Sequence, residues 1–182
     1  LYGDEVRIRQ ILVNLLSNAV KYTNEGFISL SIEGNYVSEN AIELQVTVSD
    51  SGIGIRKEDQ GKIFGNFVQV NAKETRGIEG TGLGLAITHN VLEAMGGSIR
   101  VKSEYGVGSS FSAAIPQQVV DHTPVAAVRE REKISILLYE MRDACADSIV
   151  RTFENLGVAS ERVGLQSAYY EKLLEAPRAY TH

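Results

Sequence analysis

The chain has 182 residues, enough for one ordinary domain or for one domain and part of a second. Its residues are 43% apolar and 23% charged, the balance of a globular chain and not of a disordered one. Lys and Arg number 18 against 23 Asp and Glu, a formal net charge of −5, and no basic cluster stands out, which argues against nucleic-acid binding. The single cysteine, Cys145, excludes an intrachain disulfide and a cysteine-based metal site, and reads as a small buried thiol. No signal peptide opens the sequence and no apolar run approaches the ~20 residues of a bilayer span. The chain is therefore expected to be cytoplasmic and without membrane contact of its own, whatever anchor a parent protein carries elsewhere.

Residues 4–22 predict a long amphipathic helix. At about 100° per residue, Ile8, Ile11, Leu12, Leu15, Leu16 and Ala19 share one face, while Arg7, Gln10, Asn14, Asn18 and Lys21 share another. The second stripe is rich in amides, unlike the mixed Glu and Lys of a solvated face. Asn is a mediocre helix former, so Asn14 and Asn18 at i and i+4 suggest a task beyond folding. Thr23-Asn24-Glu25-Gly26 breaks the helix. Residues 27–32 and 41–49 are expected as strands, joined by a turn around Gly34-Asn35. Asp50-Ser51-Gly52-Ile53-Gly54-Ile55 leaves the second strand as a tight glycine loop, with a short helix over residues 59–66 after it. Residues 70–79 are polar and unpatterned, as a loop would be.

Gly80-Thr81-Gly82-Leu83-Gly84 leads into a helix that runs to about Met95 and ends at Gly96-Gly97. Residues 98–103 and 109–115 form a closing hairpin across Tyr105-Gly106-Val107-Gly108. Pro116, which cannot donate to a ladder, is expected to stop the last strand. Residues 117–133 are polar around Pro124, as a linker is. Then follow a strand over 134–139, a helix over 143–156 ending at Gly157, a weaker strand near Val163 and a weaker helix over 169–174. That alternation begins a doubly wound α/β pattern but is too short to complete one.

Four separated signals invite one explanation: the amide-rich helix, the Asp-Ser-Gly-Ile-Gly loop, the Phe64/Phe67 pair and the triple-glycine loop. Singly, each has a plain alternative: surface amides, an ordinary turn, core aromatics, a turn without phosphate. Magnesium-bound nucleotide accounts for them together. Amide oxygens are hard, neutral ligands suited to Mg²⁺, which keeps several waters and bridges phosphates. Lys21, one turn beyond Asn18, can set a positive charge on the same phosphates, and Asp50 can accept a hydrogen bond from an adenine amino group. Glycines lacking a Cβ let backbone N–H groups approach phosphate, and the helix N-terminus that follows favours negative charge. Competing phosphate loops are absent. No Gly-x4-Gly-Lys-[Ser/Thr] occurs, and the sixth position counted from Gly80 or Gly82 is Leu85 or Ile87 and not glycine. His89, His122 and His182 lack zinc spacing and read as structural or surface residues.

Asp4-Glu-Val-Arg7-Ile-Arg-Gln10-Ile-Leu-Val-Asn14-Leu-Leu-Ser-Asn18-Ala-Val-Lys21-Tyr22-Thr23 resembles the N box of the GHKL ATPases (gyrase, Hsp90, histidine kinase, MutL) in its histidine kinase form. Asp50-Ser-Gly52-Ile-Gly54-Ile is similar to the G1 box, Ile63-Phe64-Gly-Asn-Phe67 to the F box, and Gly80-Thr81-Gly82-Leu83-Gly84-Leu-Ala-Ile to the G2 box. The four stand in the family's order across residues 1–116. The resemblance implies an α+β fold of the Bergerat type: an α/β sandwich whose mixed sheet is covered on one face by helices, with ATP clamped between. It implies that Asn18, with Asn14 nearby, ligates Mg²⁺, and that Lys21 and Tyr22 touch phosphates or ribose. Asp50 would meet the adenine N6, Gly52 and Gly54 would shape the adenine pocket, and Ser109 would add a weaker contact through water. Gly80, Thr81, Gly82, Leu83 and Gly84 would hold the phosphates beneath a lid at 70–79.

The hydrolytic members carry Glu where this chain has Asn14, and that carboxylate activates water. An amide cannot take the proton, so the site is expected to hold ATP for an external nucleophile, with Asn14 and Lys21 aiding transfer by position and charge. The implied partners are a His-containing dimerisation domain and a downstream response regulator or receiver domain; no phospho-acceptor His motif precedes the N box. Two departures weaken the match: Gly65 replaces the usual acidic residue of the F box, and Gln69 a common basic one. A degenerate module that docks nucleotide without transfer, or a scaffold without nucleotide, are the competing readings. Residues 134–182 resemble the start of a receiver domain. However, Glu140-Met141-Arg142 stands where two acids usually follow the first strand, and the acceptor Asp would fall beyond His182.

Overall fold

A computed structural model describes residues 1–65, 82–124, 126–176 and 179–181 of the chain. They form two compact units, Leu1–His122 and Thr123–His182. Unit 1 opens with α1 (Glu5–Tyr22), capped by Asp4, whose carboxylate accepts the Arg7 N–H at 3.0 Å. Glu5 in the first turn and Lys21 in the last both suit the helix dipole. There follow β1 (Ile28–Ser38), β2 (Ala41–Asp50), the single turn α2 (Lys57–Gln60), α3 (Gly84–Ala94), β3 (Ser98–Glu104) and β4 (Gly108–Gln118).

The strands lie in the order β1-β2-β4-β3. Alternation sorts them into two faces: Ile42, Val46 and Val48 of β2 and Phe111, Ala113 and Ile115 of β4 are buried beneath the helices. Ile11, Leu15 and Ala19 of α1, with Leu92 of α3 and Ile63, close the core over them. The other sheet face is polar, and hydroxyl pairs cross it at Thr47–Ser112 (3.1 Å) and Ser49–Ser110 (2.8 Å). This is the expected sandwich with helices on one face. Its three strand pairings are all antiparallel, so the parallel component of a mixed sheet is not among the described residues.

Three local expectations give way. The first hairpin turns at Glu39-Asn40, not at Gly34-Asn35: Gly34 lies inside β1 opposite Leu44. A Cβ there would press on Ile42 Cδ1 at 2.7 Å, so this glycine serves cross-strand packing. Pro116 does not stop β4, which runs on to Gln118. Gln118 exchanges both backbone bonds with Tyr2 on the β3 side of the strand, and Pro116, two residues earlier, points its missing donor the same way. β3 pairs only as far as Ala114, so no ladder bond is lost. The helix expected over 59–66 is confined to α2 and a following turn, with Gly61 and Gly65 on either side of Phe64.

Unit 2 comprises β5 (Ser135–Tyr139), α4 (Asp143–Leu156), β6 (Ala159–Val163) and α5 (Gln166–Glu175), with β5 and β6 parallel. Gly157, at φ 68°, ends α4 in the left-handed conformation that glycine adopts freely. Cys145 is half-buried in the first turn of α4 instead of fully buried. Both backbone groups of Ser135 go to Thr181, whose N–H donates to the Ser135 carbonyl at 2.8 Å. In a strand these two groups point the same way, so the chain returns to the edge of β5 away from β6.

After β5, Arg142 grips Glu140 through two guanidinium bonds of 2.9 Å each, and Arg162 bonds Asp143 at 2.6 Å. The Arg142 guanidinium holds the Glu140 carboxyl down from its usual 4.5 to about 2. A carboxyl depressed in the folded state stabilises it above the unfolded value, and loses that contribution as pH falls from 4.5 through 2. NMR titration of Glu140 should give a midpoint near 2, and Arg142→Gln should return it toward 4.5. A wild-type midpoint already near 4.5 would mean the pair is not formed in solution.

Candidate functional site

α1 carries Asn14, Asn18 and Lys21 half-buried along one face. Lys21 Nζ lies 5.0 Å from the centre of the Tyr22 ring, so the two side chains stack. The first residue of α3, Gly84, rests directly on Asn14: a Cβ at Gly84 would fall on Asn14 Oδ1. One turn on, the buried Thr88 accepts a hydrogen bond of 2.5 Å from Asn14 Nδ2. The Asn14 amide is thereby oriented, its nitrogen turned to Thr88 and its oxygen to the start of α3. Leu83 at the N-cap of α3 supplies no side-chain cap. The orphan N–H groups of an 11-residue helix thus open beside Asn14, as an anion-binding helix end requires.

Asp50 ends β2 on its inward face, which is why a carboxylate there is only 8% exposed. Its Oδ1 accepts the N–H of Gly52 at 2.9 Å and of Ser109, its partner across the sheet, at 3.3 Å. The loop that follows is pinned at both ends. Ile53 N–H donates to the Tyr22 carbonyl at 3.2 Å, and the Gly106 N–H donates to the Ile53 carbonyl at 2.8 Å. At Gly54, φ is +66° and a Cβ would fall on the Glu104 carbonyl oxygen, so only glycine fits without strain. The carbonyl of Tyr22 bars a side chain at Gly52 in the same way.

The structure therefore brings the site residues into two groups. Asn14, Thr88, Leu83 and Gly84 form one, at the crossing of α1 and α3. Asp50, Gly52, Gly54 and Ser109 form the other, where β2, β4 and the end of α1 meet. Gly82 is described, at φ +69°, whereas Gly80, Thr81, Phe67, Gln69 and the loop 70–79 lie outside the described residues. Phe64 is a core aromatic, packed on the hydrophobic cluster with its ring centre 5.7 Å from that of His89.

Two anchors escaped the sequence reading. Thr88 orients Asn14, and Ser103 binds together the Ile55 N–H (2.7 Å), the Gly108 carbonyl (2.9 Å) and the Ser109 hydroxyl (3.0 Å). Each left a signal: a polar residue at an inward position of an otherwise apolar pattern, Ser103 after Ile99 and Val101, Thr88 between Leu85 and Leu92.

Residues 3–119 match the family described as histidine kinase-, DNA gyrase B- and HSP90-like ATPases. The chain belongs to that family. It is 44% identical over 113 residues to histidine protein kinase 1 of Candida albicans, a match covering 62% of this chain and 5% of that protein. It is 42% identical over 122 residues to the autoinducer 2 sensor kinase/phosphatase LuxQ of Vibrio cholerae, covering 65% of this chain and 14% of that one. The chain thus spans a small part of these curated relatives. Full-length ShkA in complex with AMPPNP superposes with a TM-score of 0.65 at 26% identity, over 93% of this chain and 34% of that one. The mycobacterial sensor histidine kinase MprB gives 0.50 at 26% identity, over 64% and 76%. Unit 1 holds all of the matched residues 3–119 and is the domain of that family.

Proposed function

We propose that this domain holds Mg²⁺-ATP and donates its γ-phosphoryl group to a histidine on a separate dimerisation domain, from which it passes to a response regulator or receiver domain in the cytoplasm. The observation that carries the reading is the Asn14 amide, oriented by Thr88 against the start of α3. A carboxylate there would activate water; an amide cannot accept the proton, so bound ATP is spared for an external nucleophile.

The residues fit the ligand. The oriented amide oxygen and the glycine at the helix start form a cradle that any side chain at position 84 would fill. Asn18 and Asn14 would hold Mg²⁺, which supplies charge neutralisation on the phosphates. The start of α3, with Gly82, Leu83 and Gly84, would meet the phosphates by backbone N–H groups, joined by Gly80 and Thr81. Lys21 and Tyr22 would contact phosphate or ribose. Asp50 would accept from the adenine amino group, in a pocket shaped by Gly52 and Gly54 and closed by Ser109.

Gln117 and Gln118 pair in β4 and so fall outside the linker expected over 117–133. The remainder, 119–133, would join this domain to the strands and helices from β5 onward, whose parallel pairing and return to the β5 edge support a receiver-like reading of 134–182. The Glu140–Arg142 pair occupies carboxylate oxygens that a divalent cation would need there, which supports a degenerate receiver.

The test supplies a matched His-bearing dimerisation domain in trans with γ-labelled ATP. Acid-labile label on that domain is expected, with little ATP consumed when it is omitted. A folded protein that binds nucleotide but never labels the acceptor would overturn the kinase reading and leave a nucleotide-docking module, which Gly65 in the F box favours.

A further inference from the structure

Among the described residues, Thr23 Oγ1 is a buried side-chain polar atom without a hydrogen-bond partner. Buried hydroxyls in folded proteins almost always find one, so this atom asks for an explanation. Thr23 is the C-cap of α1, the residue directly after Lys21-Tyr22. A Cβ built on Gly52 would lie 2.9 Å from Thr23 Oγ1 and 2.9 Å from Asp50 Oδ1. The hydroxyl and the carboxylate therefore flank the same glycine, one a donor without an acceptor and the other an acceptor of two backbone N–H groups. The glycine between them belongs to the loop tied to α1 by the Ile53-to-Tyr22 backbone bond of 3.2 Å. Donor and acceptor thus converge on the same loop position.

We infer that Thr23 is a positioning residue for nucleobase selection: with a base bound, its hydroxyl donates to the Asp50 carboxylate and locks it as an acceptor toward the ligand. The inference rests on the ATP-binding reading above. A carboxylate held from three sides by Gly52, Ser109 and Thr23 cannot rotate to suit another edge. It favours a purine with an amino group at position 6, and a purine with an oxo group there sets oxygen against oxygen. The hydroxyl also ties the base end of the site to the segment that carries Asn18, Lys21 and Tyr22.

Calorimetric titration compares non-hydrolysable ATP with the corresponding inosine analogue on wild type, Thr23→Val and Thr23→Ser, each first checked for an unchanged melting transition. Wild type should prefer the adenine ligand. Thr23→Val should lower that preference about tenfold, the loss of one hydrogen bond to a charged group, and Thr23→Ser should restore it. A purely structural role would weaken both ligands alike and leave their ratio unchanged, and that result would overturn the inference, as would an unchanged ratio at full affinity. If Thr23→Val fails to fold, a Thr23→Ser ratio below that of wild type by more than threefold would overturn it. Failure of wild type to bind either nucleotide would instead sink the ATP-binding reading.

Discussion

Asp50→Asn should weaken binding of a non-hydrolysable ATP analogue in the presence of Mg²⁺ by about 10- to 100-fold, while the thermal midpoint stays almost unchanged. The two outcomes separate because Asp50 serves two kinds of partner. Its Oδ1 accepts from the Gly52 and Ser109 backbone, and an asparagine oxygen can do the same, so the junction of β2 and β4 should survive. The other carboxylate oxygen becomes an NH₂ group, which would face the adenine amino group donor to donor. Losing a hydrogen bond to a charged group costs about 1.5–3 kcal/mol, which sets the size of the effect. Undiminished affinity in a folded Asp50→Asn protein would place the base elsewhere.

Gly54→Ala should destabilise unit 1 by about 2–4 kcal/mol, seen as a fall of on the order of 10 °C in its melting midpoint. Part of the cost is the left-handed backbone, which an L side chain adopts at a penalty of about 1–2 kcal/mol. The remainder is collision: the added Cβ would fall on the Glu104 carbonyl oxygen, a backbone atom of β3 that cannot swing away as a side chain can. The nearby bond from Gly106 N–H to the Ile53 carbonyl would be pried open in the process. Nucleotide affinity should fall with stability, since the same loop shapes the Asp50 pocket. Gly61→Ala is the control, because a Cβ there meets nothing and the backbone is right-handed; it should melt within about 0.5 kcal/mol of wild type. A Gly54→Ala protein that melts with the control would mean that the loop does not approach β3 this closely.

These effects arise at contacts of different legibility. α1 could be read to its ends, from the Asp4 cap to the break after Tyr22, because a helical period and a cap are written within a few neighbouring residues. The loop after Asp50 was legible for a similar reason: glycines at 52 and 54 announce backbone that a side chain would obstruct. Gly34-Asn35 misled by the same logic, since a glycine that makes room for Ile42 across a strand looks identical, locally, to one that makes a turn. Pro116 misled because its cost depends on which edge of β4 is open, and that is a property of the neighbouring strand.

By itself the sequence determined the order of helices and strands, the inward and outward faces, and the amide, carboxylate and glycine positions that name the family, all of it local chemistry. Only the tertiary structure decided which polar atom meets which. Asn14 and Thr88 stand 74 residues apart, Asp50 and Ser109 stand 59 apart, and Thr23 meets the Asp50 loop through a glycine. Such meetings depend on sheet register and helix crossing, which follow from burying one common core and leave no period along the chain.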